Sequence, residues 1–403
     1  MPKIIFPIHL LDLPSELYVE LDDSYKKVLL TFVLSKSRTR SGLSRLLGVP
    51  RSNIGNWFEN AIPLGVLKAL YQKIPELTLQ FPPTLLEKKV TKLRGMTNHF
   101  GIANPRLPIM LTPKLASIIG HFLGDGGIKK RDITPMYCNI YADVGEVFLQ
   151  DLNAVFGEVE YRKKTQDRLY YLLFPTSLGL ILVKSLGLHA GKKSKEKNLK
   201  VPNYVRDGNQ QILAAFLRAI YDDECNISVR NKGIRIEMAN EQIVRDIREM
   251  LITIGISCNP IHEQRHRFSL EWCFSISSQK NLLLFQRLIG CEILEKRTLL
   301  QQLLDSYRTP VAFVSVVPSA RKKIFYKLKH SDFNLPYNTF NQWRKGTRAL
   351  PVGMFLQLLS KTGKRLKRSE VCFKNRNRGE VFNYKTLHFS KIEELCNLSG
   401  CFA

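Results

Sequence analysis

Acidic residues are scarce in this 403-residue chain: 35 Asp and Glu face 61 Lys and Arg, leaving a net charge of +26. The excess is spread along the chain and not gathered in one tail, so it favours a polyanionic partner of the nucleic-acid kind. No apolar run approaches the roughly 20 residues that a bilayer span needs. The start MPKIIFPIHLLDLPSEL has an early acid at Asp12 and prolines inside its apolar stretch, which is wrong for a secretory signal. These absences predict a soluble, intracellular protein with no membrane partner. The eight cysteines contain no CxxC and none stands at zinc-finger spacing from a histidine, so they read as reduced, mostly packing residues. A hydrophobic content of 44% describes a folded chain, and its length predicts two to three domains.

Two apolar segments end alike: LASIIGHFLGDGG from Leu115 and LAAFLRAIYDDEC from Leu213. Each is apolar nearly all round, so as a helix it is buried, yet it delivers a carboxylate, Asp125 or Glu224, at its last turn. A negative charge at a helix C-terminus opposes the dipole, and two such ends side by side repel each other. A divalent cation shared between the carboxylates offsets both penalties and attracts phosphate in turn. Gly120 and Gly124, with Ala219 aligned to Gly120, allow the two helices to pack closely.

The surrounding elements repeat as well. Asp125 is followed by strands around 127–134 and 136–141, a helix near 145–156, strands at 159–163 and 169–174 and a helix at 176–186. Glu224 is followed by strands at 226–230 and 234–238, a helix at 241–254, strands at 258–263 and 267–275 and a helix at 279–288. Each half reads αββαββα. The strands alternate apolar and polar residues, so one face of each sheet is wet. Arg162, Lys164, Arg230 and Arg235 lie on those wet faces, where a twisted basic sheet fits the major groove of a duplex.

A second similarity lies outside this centre. RSNIGNWFENAIPLGVLKALYQ from Arg51 aligns with YNTFNQWRKGTRALPVGMFLQLLS from Tyr337, placing Trp57 on Trp343 and Gly65 on Gly353. Both read as helix-turn-helix units, with Ser52 as an N-cap in the first. Docked on DNA, Arg51, Asn53 and Asn56 face the duplex in one unit, and Asn338, Gln342, Arg344 and Lys345 in the other.

IIGHFLGDGG and FLRAIYDDEC resemble the two signature helices of the LAGLIDADG homing endonucleases, the dodecapeptide type. LGLHAGKKSKEKNLKVPNYV and FQRLIGCEILEKRTLLQQLL look like the segments that close each half, so the likeness runs from Lys114 to Tyr307. The resemblance implies an α+β fold: two pseudo-symmetric αββαββα halves forming a DNA-binding saddle, here flanked by small all-α helix-turn-helix-like domains. It also implies a monomer that cuts double-stranded DNA with Mg²⁺ (or Mn²⁺), with Asp125 and Glu224 as its metal-binding catalytic acids. Lys129 and Lys130 are candidates for an assisting basic residue. The chain departs from the family where Asp223 replaces a small residue and Cys225 replaces a glycine. No self-splicing residues stand at Met1, Pro2, Phe402 or Ala403, so a complete intein is disfavoured. The rival expectations are a LAGLIDADG scaffold that has lost cleavage and persists as a helix-turn-helix transcription regulator, and a maturase that binds structured intron RNA. The expected organisation is a helical domain at 1–80, a linker at 81–108, the endonuclease at 109–308 (halves 109–206 and 207–308), a second helical unit at 309–362, and a basic tail at 363–403.

Overall fold

The computed structural model describes residues 4–96, 100–166, 169–196, 199–266, 270–308, 312–333, 335–363, 366, 370–375 and 381–382. They fall into two compact units, Met1–Leu303 and Leu304–Ala403.

The first unit starts with β1 (Tyr18–Leu21), α1 (Asp23–Ser37), α2 (Arg40–Leu47) and α3 (Arg51–Glu59). Thr39 begins α2 by accepting the Gly42 N–H, and Gly48 ends it at φ 68°, a left-handed position that suits glycine. α3 begins on Pro50, so Ser52 lies inside the helix and is not its cap. Ile54 and Trp57 turn inward from α3 and are buried. The chain continues through β2 (Ile62–Pro63), α4 (Leu64–Lys73), α5 (Glu76–Gln80), α6 (Pro83–Lys88), β3 (Val90–Arg94) and β4 (Gly101–Ala103). β2, β1, β3 and β4 pair in that order, all antiparallel. The all-α expectation for this region is therefore corrected to a mixed one. Residues 81–108, read as a linker, instead hold a helix and two paired strands. These strands are too short for their alternation to stand out beside prolines and a basic run.

The next stretch runs α7 (Pro113–Leu123), β5 (Gly126–Ile128), β6 (Pro135–Asn139), α8 (Ala142–Phe156), β7 (Glu158–Val159), β8 (Arg162–Gln166), β9 (Leu169–Leu173) and α9 (Thr176–Leu180), which continues into a π-helical turn, Ile181–Ser185. Thr112 caps α7 through the Leu115 N–H, and Pro113 occupies the first turn, where its missing N–H costs nothing. The strand expected over 159–163 is divided. Val159 pairs with Ile102 and extends the preceding sheet, while Arg162–Gln166 pairs with Leu169–Leu173.

After α10 (Asn203–Arg206), the pattern returns as α11 (Gln210–Glu224), β10 (Cys225–Ser228), β11 (Gly233–Met238), α12 (Glu241–Thr253), β12 (His262–Arg265), β13 (Leu270–Ile276) and α13 (Gln279–Leu288), followed by α14 (Leu294–Arg308). The sheet orders β5-β6-β9-β8 and β10-β11-β13-β12 are the same topology twice. The chain thus contains two αββαββα halves with antiparallel sheets, as expected.

α7 and α11 pack directly against each other, and their sequences explain how closely. A methyl added at Gly120 would lie 2.8 Å from the Ala219 Cβ and 2.8 Å from the Phe216 carbonyl oxygen. Leu115, Ile118, Ile119, Phe216, Leu217 and Ile220 are fully buried around this seam. Helices apolar on most of their circumference are thereby covered by each other and by the two sheets.

The second unit has β14 (Ala312–Val316), α15 (Pro318–Ile324), α16 (Tyr337–Lys345), β15 (Leu350–Pro351), α17 (Val352–Thr362), β16 (Val371–Asn375) and β17 (Val381–Phe382). Val314, Ile324, Phe340, Trp343, Phe355 and Leu358 form its core. This unit, too, is mixed and not all-α. Its pairings Phe313↔Pro351 and Val314↔Leu350 repeat Tyr18↔Pro63 and Val19↔Ile62 of the first unit. A third strand completes the match, Val314↔Phe373 repeating Val19↔Leu93. The internal similarity around Trp57 and Trp343 therefore extends to a whole strand–helix–strand–helix–strand module.

Candidate functional site

The two helix ends meet at the seam. Asp125 follows the Gly124 C-cap of α7, and Glu224 is the last residue of α11. Asp125 reaches solvent but is walled by protein on most sides. That burial, with the negative charges of Asp223 and Glu224, pushes its carboxyl up to about 7. Burial also pushes Glu224 up to about 7, against the pull of Lys193 and with the push of Asp223.

Each helix end also has its own lysine, and the sequence reading missed both. The Lys193 ammonium donates to the carbonyls of Phe122 (3.4 Å), Leu123 (2.8 Å) and Gly124 at the end of α7. The Lys296 ammonium donates to the carbonyls of Tyr221 (3.1 Å) and Asp222 (2.5 Å) at the end of α11. A cation on the last carbonyls satisfies orphan acceptors and complements the helix dipole, which offsets part of the carboxylate penalty. Burial pulls the Lys193 ammonium below its usual range, while Glu224, Asp223 and Asp125 hold it up. Lys129 and Lys130, proposed from sequence to assist, are exposed beyond β5. The usable signal was the duplication itself: both lysines lie in the segments that close each half.

Asp223 is the second unforeseen feature. Its side chain is fully buried, and it takes hydrogen bonds from the opposite half: His121 Nδ1 at 3.1 Å, the Tyr137 hydroxyl at 2.8 Å and the Asp125 backbone N–H at 3.1 Å. Gly124 makes the room, since a methyl there would lie 2.5 Å from an Asp223 carboxylate oxygen. Burial disfavours a charged His121, but the Asp223 carboxylate outweighs it and raises the imidazole above its ordinary range. Asn139 Nδ2 donates to the Asp125 carboxylate and to the Tyr137 hydroxyl, each at 3.0 Å. Asp222 points the other way and accepts the N–H groups of Glu292 (2.9 Å) and Ile293 (3.4 Å). Cys225, where a glycine was expected, has φ −90° and ψ 151°, an ordinary extended residue that places no demand for glycine.

The sheets differ in charge. On β8, Arg162 to Gln166 are all exposed, Arg162 and Lys164 among them. In the second half Arg230, expected on a strand, lies exposed in the turn between β10 and β11, whereas Arg235 on β11 is tied to Glu237 (2.9 Å) and Gln264 (2.9 Å). Glu237, His266 and Glu271 bring potential ligand atoms within 4.8 Å of one another, but His266 and Arg235 already pair with Glu237. The basic face expected there is corrected to a mixed one, because Arg235 is paired with Glu237 two residues along the same strand. A cavity of 480 Å³ beside the seam is lined by Lys193, Glu224, Glu237, Asn240 and Glu271 among others. Arg51, Asn53 and Asn56 on α3 are exposed, as are Asn338, Gln342, Arg344 and Lys345 on α16. The expected tail, 363–403, lies mostly outside the described residues. Among the described residues, no helix is long and apolar enough to cross a membrane.

Comparison with known proteins finds a family match within this architecture. The family model described as a LAGLIDADG-like domain matches residues 211–290, which run from α11 to α13 of the second half. The LAGLIDADG resemblance is thereby shown over the second half, α11 included, and the mixed helix-and-sheet fold is as expected. Among curated proteins, the chain is 26% identical over 250 residues to the glutamine–fructose-6-phosphate aminotransferase of Methanocaldococcus jannaschii, covering 59% of this chain and 22% of that protein. It is 26% identical over 183 residues to the replication factor C small subunit of Thermococcus kodakarensis, covering 45% and 20%. The chain thus spans about a fifth of the length of these relatives. Among solved structures, the homing endonuclease I-DmoI in complex with DNA and Ca is 16% identical, with a TM-score of 0.36, covering 47% of this chain and 98% of that one. Full-length DUF199/WhiA from Thermatoga maritima is 11% identical, with a TM-score of 0.34, covering 72% and 92%.

Proposed function

We propose that this protein is a site-specific, double-stranded DNA endonuclease of the LAGLIDADG homing type. The observation that carries the reading is the duplicated carboxylate pair, Asp125 and Glu224, brought to adjacent ends of two packed helices. Both are hard oxygen donors, and each is raised to about 7 by burial and like charge, so together they suit a divalent cation such as Mg²⁺ or Mn²⁺. When bound, such a cation supplies Lewis acidity to a phosphodiester. The chain's own residues do the rest. Asp125 and Glu224 hold that donor pair, Lys193 and Lys296 anchor the helix ends that carry it, and Asn139 fixes the Asp125 carboxylate from the first sheet. Arg162 and Lys164 on β8, with Arg230 on the second half, supply phosphate contacts that set the duplex in register. Exposed Arg51, Asn53 and Asn56 on α3 and Asn338, Gln342, Arg344 and Lys345 on α16 extend the contact, the amides being suited to adenine edges.

The names of the curated relatives belong to unrelated processes and concern proteins of which this chain matches a fifth. None of those activities is carried over. The test is incubation of the full chain with a randomised duplex library and Mg²⁺, followed by sequencing of the cut ends. Wild type cleaves a discrete site, while Asp125→Asn and Glu224→Gln bind it and leave it whole. Tight binding by wild type without cutting refutes the nuclease reading. That result would favour the non-cleaving regulator, for which the duplicated strand–helix modules with polar, exposed helices on both flanks are the supporting observation.

A further inference from the structure

We infer that Asp223, a residue of the second half, is a positioning residue for Asp125 of the first, so that one donor of the site is held in place from across the seam. The inference rests on the reading of Asp125 as a cation ligand. The Asp223 carboxylate does not serve as a ligand itself: its side chain has no exposure, and its oxygens are taken up by His121, Tyr137 and the Asp125 N–H. What it does is close a ring. On one side it receives the Asp125 backbone N–H at 3.1 Å, fixing the turn that leaves α7. On the other it receives the Tyr137 hydroxyl at 2.8 Å, Tyr137 accepts from Asn139 at 3.0 Å, and Asn139 donates to the Asp125 carboxylate at 3.0 Å. Main chain and side chain of Asp125 are thus both referred to one buried anchor. The ring's members come from the turn that leaves α7, from β6 and from α11.

Donor direction makes the arrangement specific to a carboxylate. Asp223 faces donors only: an imidazole N–H, a hydroxyl and a peptide N–H. An asparagine of the same shape presents one oxygen and one NH₂ group, so at least one donor is left facing another donor. Partners that orient a metal-binding carboxylate in this way change its affinity by about 10- to 100-fold when replaced. The cost of holding a carboxylate in this place is visible opposite it, where Gly124 must stay without a side chain.

The test uses the full chain and Mn²⁺ alone, with free Mn²⁺ followed by electron paramagnetic resonance and folding followed by thermal melting. Wild type, Asp125→Asn, Asp223→Asn and Tyr137→Phe are compared. Asp125→Asn should abolish the seam's Mn²⁺ binding, and Asp223→Asn should raise the Kd by about 10-fold or more while melting remains cooperative. Tyr137→Phe keeps the ring packing and removes one link, and should raise the Kd by a smaller factor. A wild-type Kd in Asp223→Asn, with binding lost in Asp125→Asn, overturns the positioning role. Wild-type binding in Asp125→Asn overturns the ligand reading instead, so the two failures are distinct. If Asp223→Asn does not fold, Tyr137→Phe decides: an unchanged Kd in that folded variant overturns the proposal.

Discussion

Replacing Glu224 by glutamine should make the metal-free protein more stable at alkaline pH while abolishing its proposed activity. Glu224 is held at about 7 against an ordinary value of 4.5, because it is buried and faces Asp223. A carboxyl raised on folding binds its proton more tightly in the native state. Its favourable contribution is complete below its unfolded value and is lost as pH rises through the folded one. Full ionisation at that shift corresponds to about 3 kcal/mol. Partial access to water and the lost attraction to Lys193 bring the expected gain to about 1–2 kcal/mol. The assay is thermal unfolding of wild type and Glu224→Gln in a chelating buffer across a pH series. The two melts should coincide near about pH 5 and separate by about 2–5 °C near about pH 8, with the variant higher. Mn²⁺ should raise the wild-type melt and narrow the gap, since a bound cation removes the repulsion that the substitution also removes. A variant that melts lower near pH 8, or a gap that widens toward pH 5, refutes the electrostatic account of the seam.

Two further outcomes are expected. Gly124→Ala puts a methyl 2.5 Å from an Asp223 carboxylate oxygen and 2.7 Å from its Cβ, and should cost about 1–3 kcal/mol in chemical unfolding; a wild-type midpoint would mean that α7 and α11 separate freely. Alanine at Arg162, Lys163 and Lys164 together removes three exposed charges from β8, and the slope of log affinity for duplex DNA against log salt should fall by about 2–3. An unchanged slope in fluorescence anisotropy would place β8 away from the phosphates.

The elements that could be read from sequence are those whose signal is local. α12 was expected over 241–254 and is Glu241–Thr253, and α13 lies where its pattern placed it. Repetition made the two sheets legible as well, since each half corroborated the other. The flanking strands were missed because a strand such as Ile62–Pro63 has no period to detect and exists only through its partners. Lys193 and Lys296 failed for a related reason. Each caps a helix some seventy residues earlier in the chain, and nothing near either lysine announces which carbonyls the fold brings to it. Lys129 and Lys130 are candidates only because they follow Asp125 in sequence, and both are exposed beyond β5.

The two departures in the second motif have opposite meanings once placed in the fold. Cys225 stands where the family has a glycine, yet its backbone is extended and it enters β10 as a buried strand residue, so the position does not require glycine. Its counterpart Gly126 is not free in this way, because a methyl there would lie 2.7 Å from the Phe122 Cα and 2.8 Å from the His121 carbonyl oxygen. The pseudo-symmetry is therefore broken in the backbone just after the acids, with a tight exit from α7 and a regular one from α11. Asp223 looked like surplus charge, yet it is the group that ties the tight exit down. A glycine-rich turn costs conformational entropy and holds a side chain poorly. The half that needs the turn is the half that receives the anchor, and the half that does without it, ending in Glu224, supplies that anchor from the preceding residue.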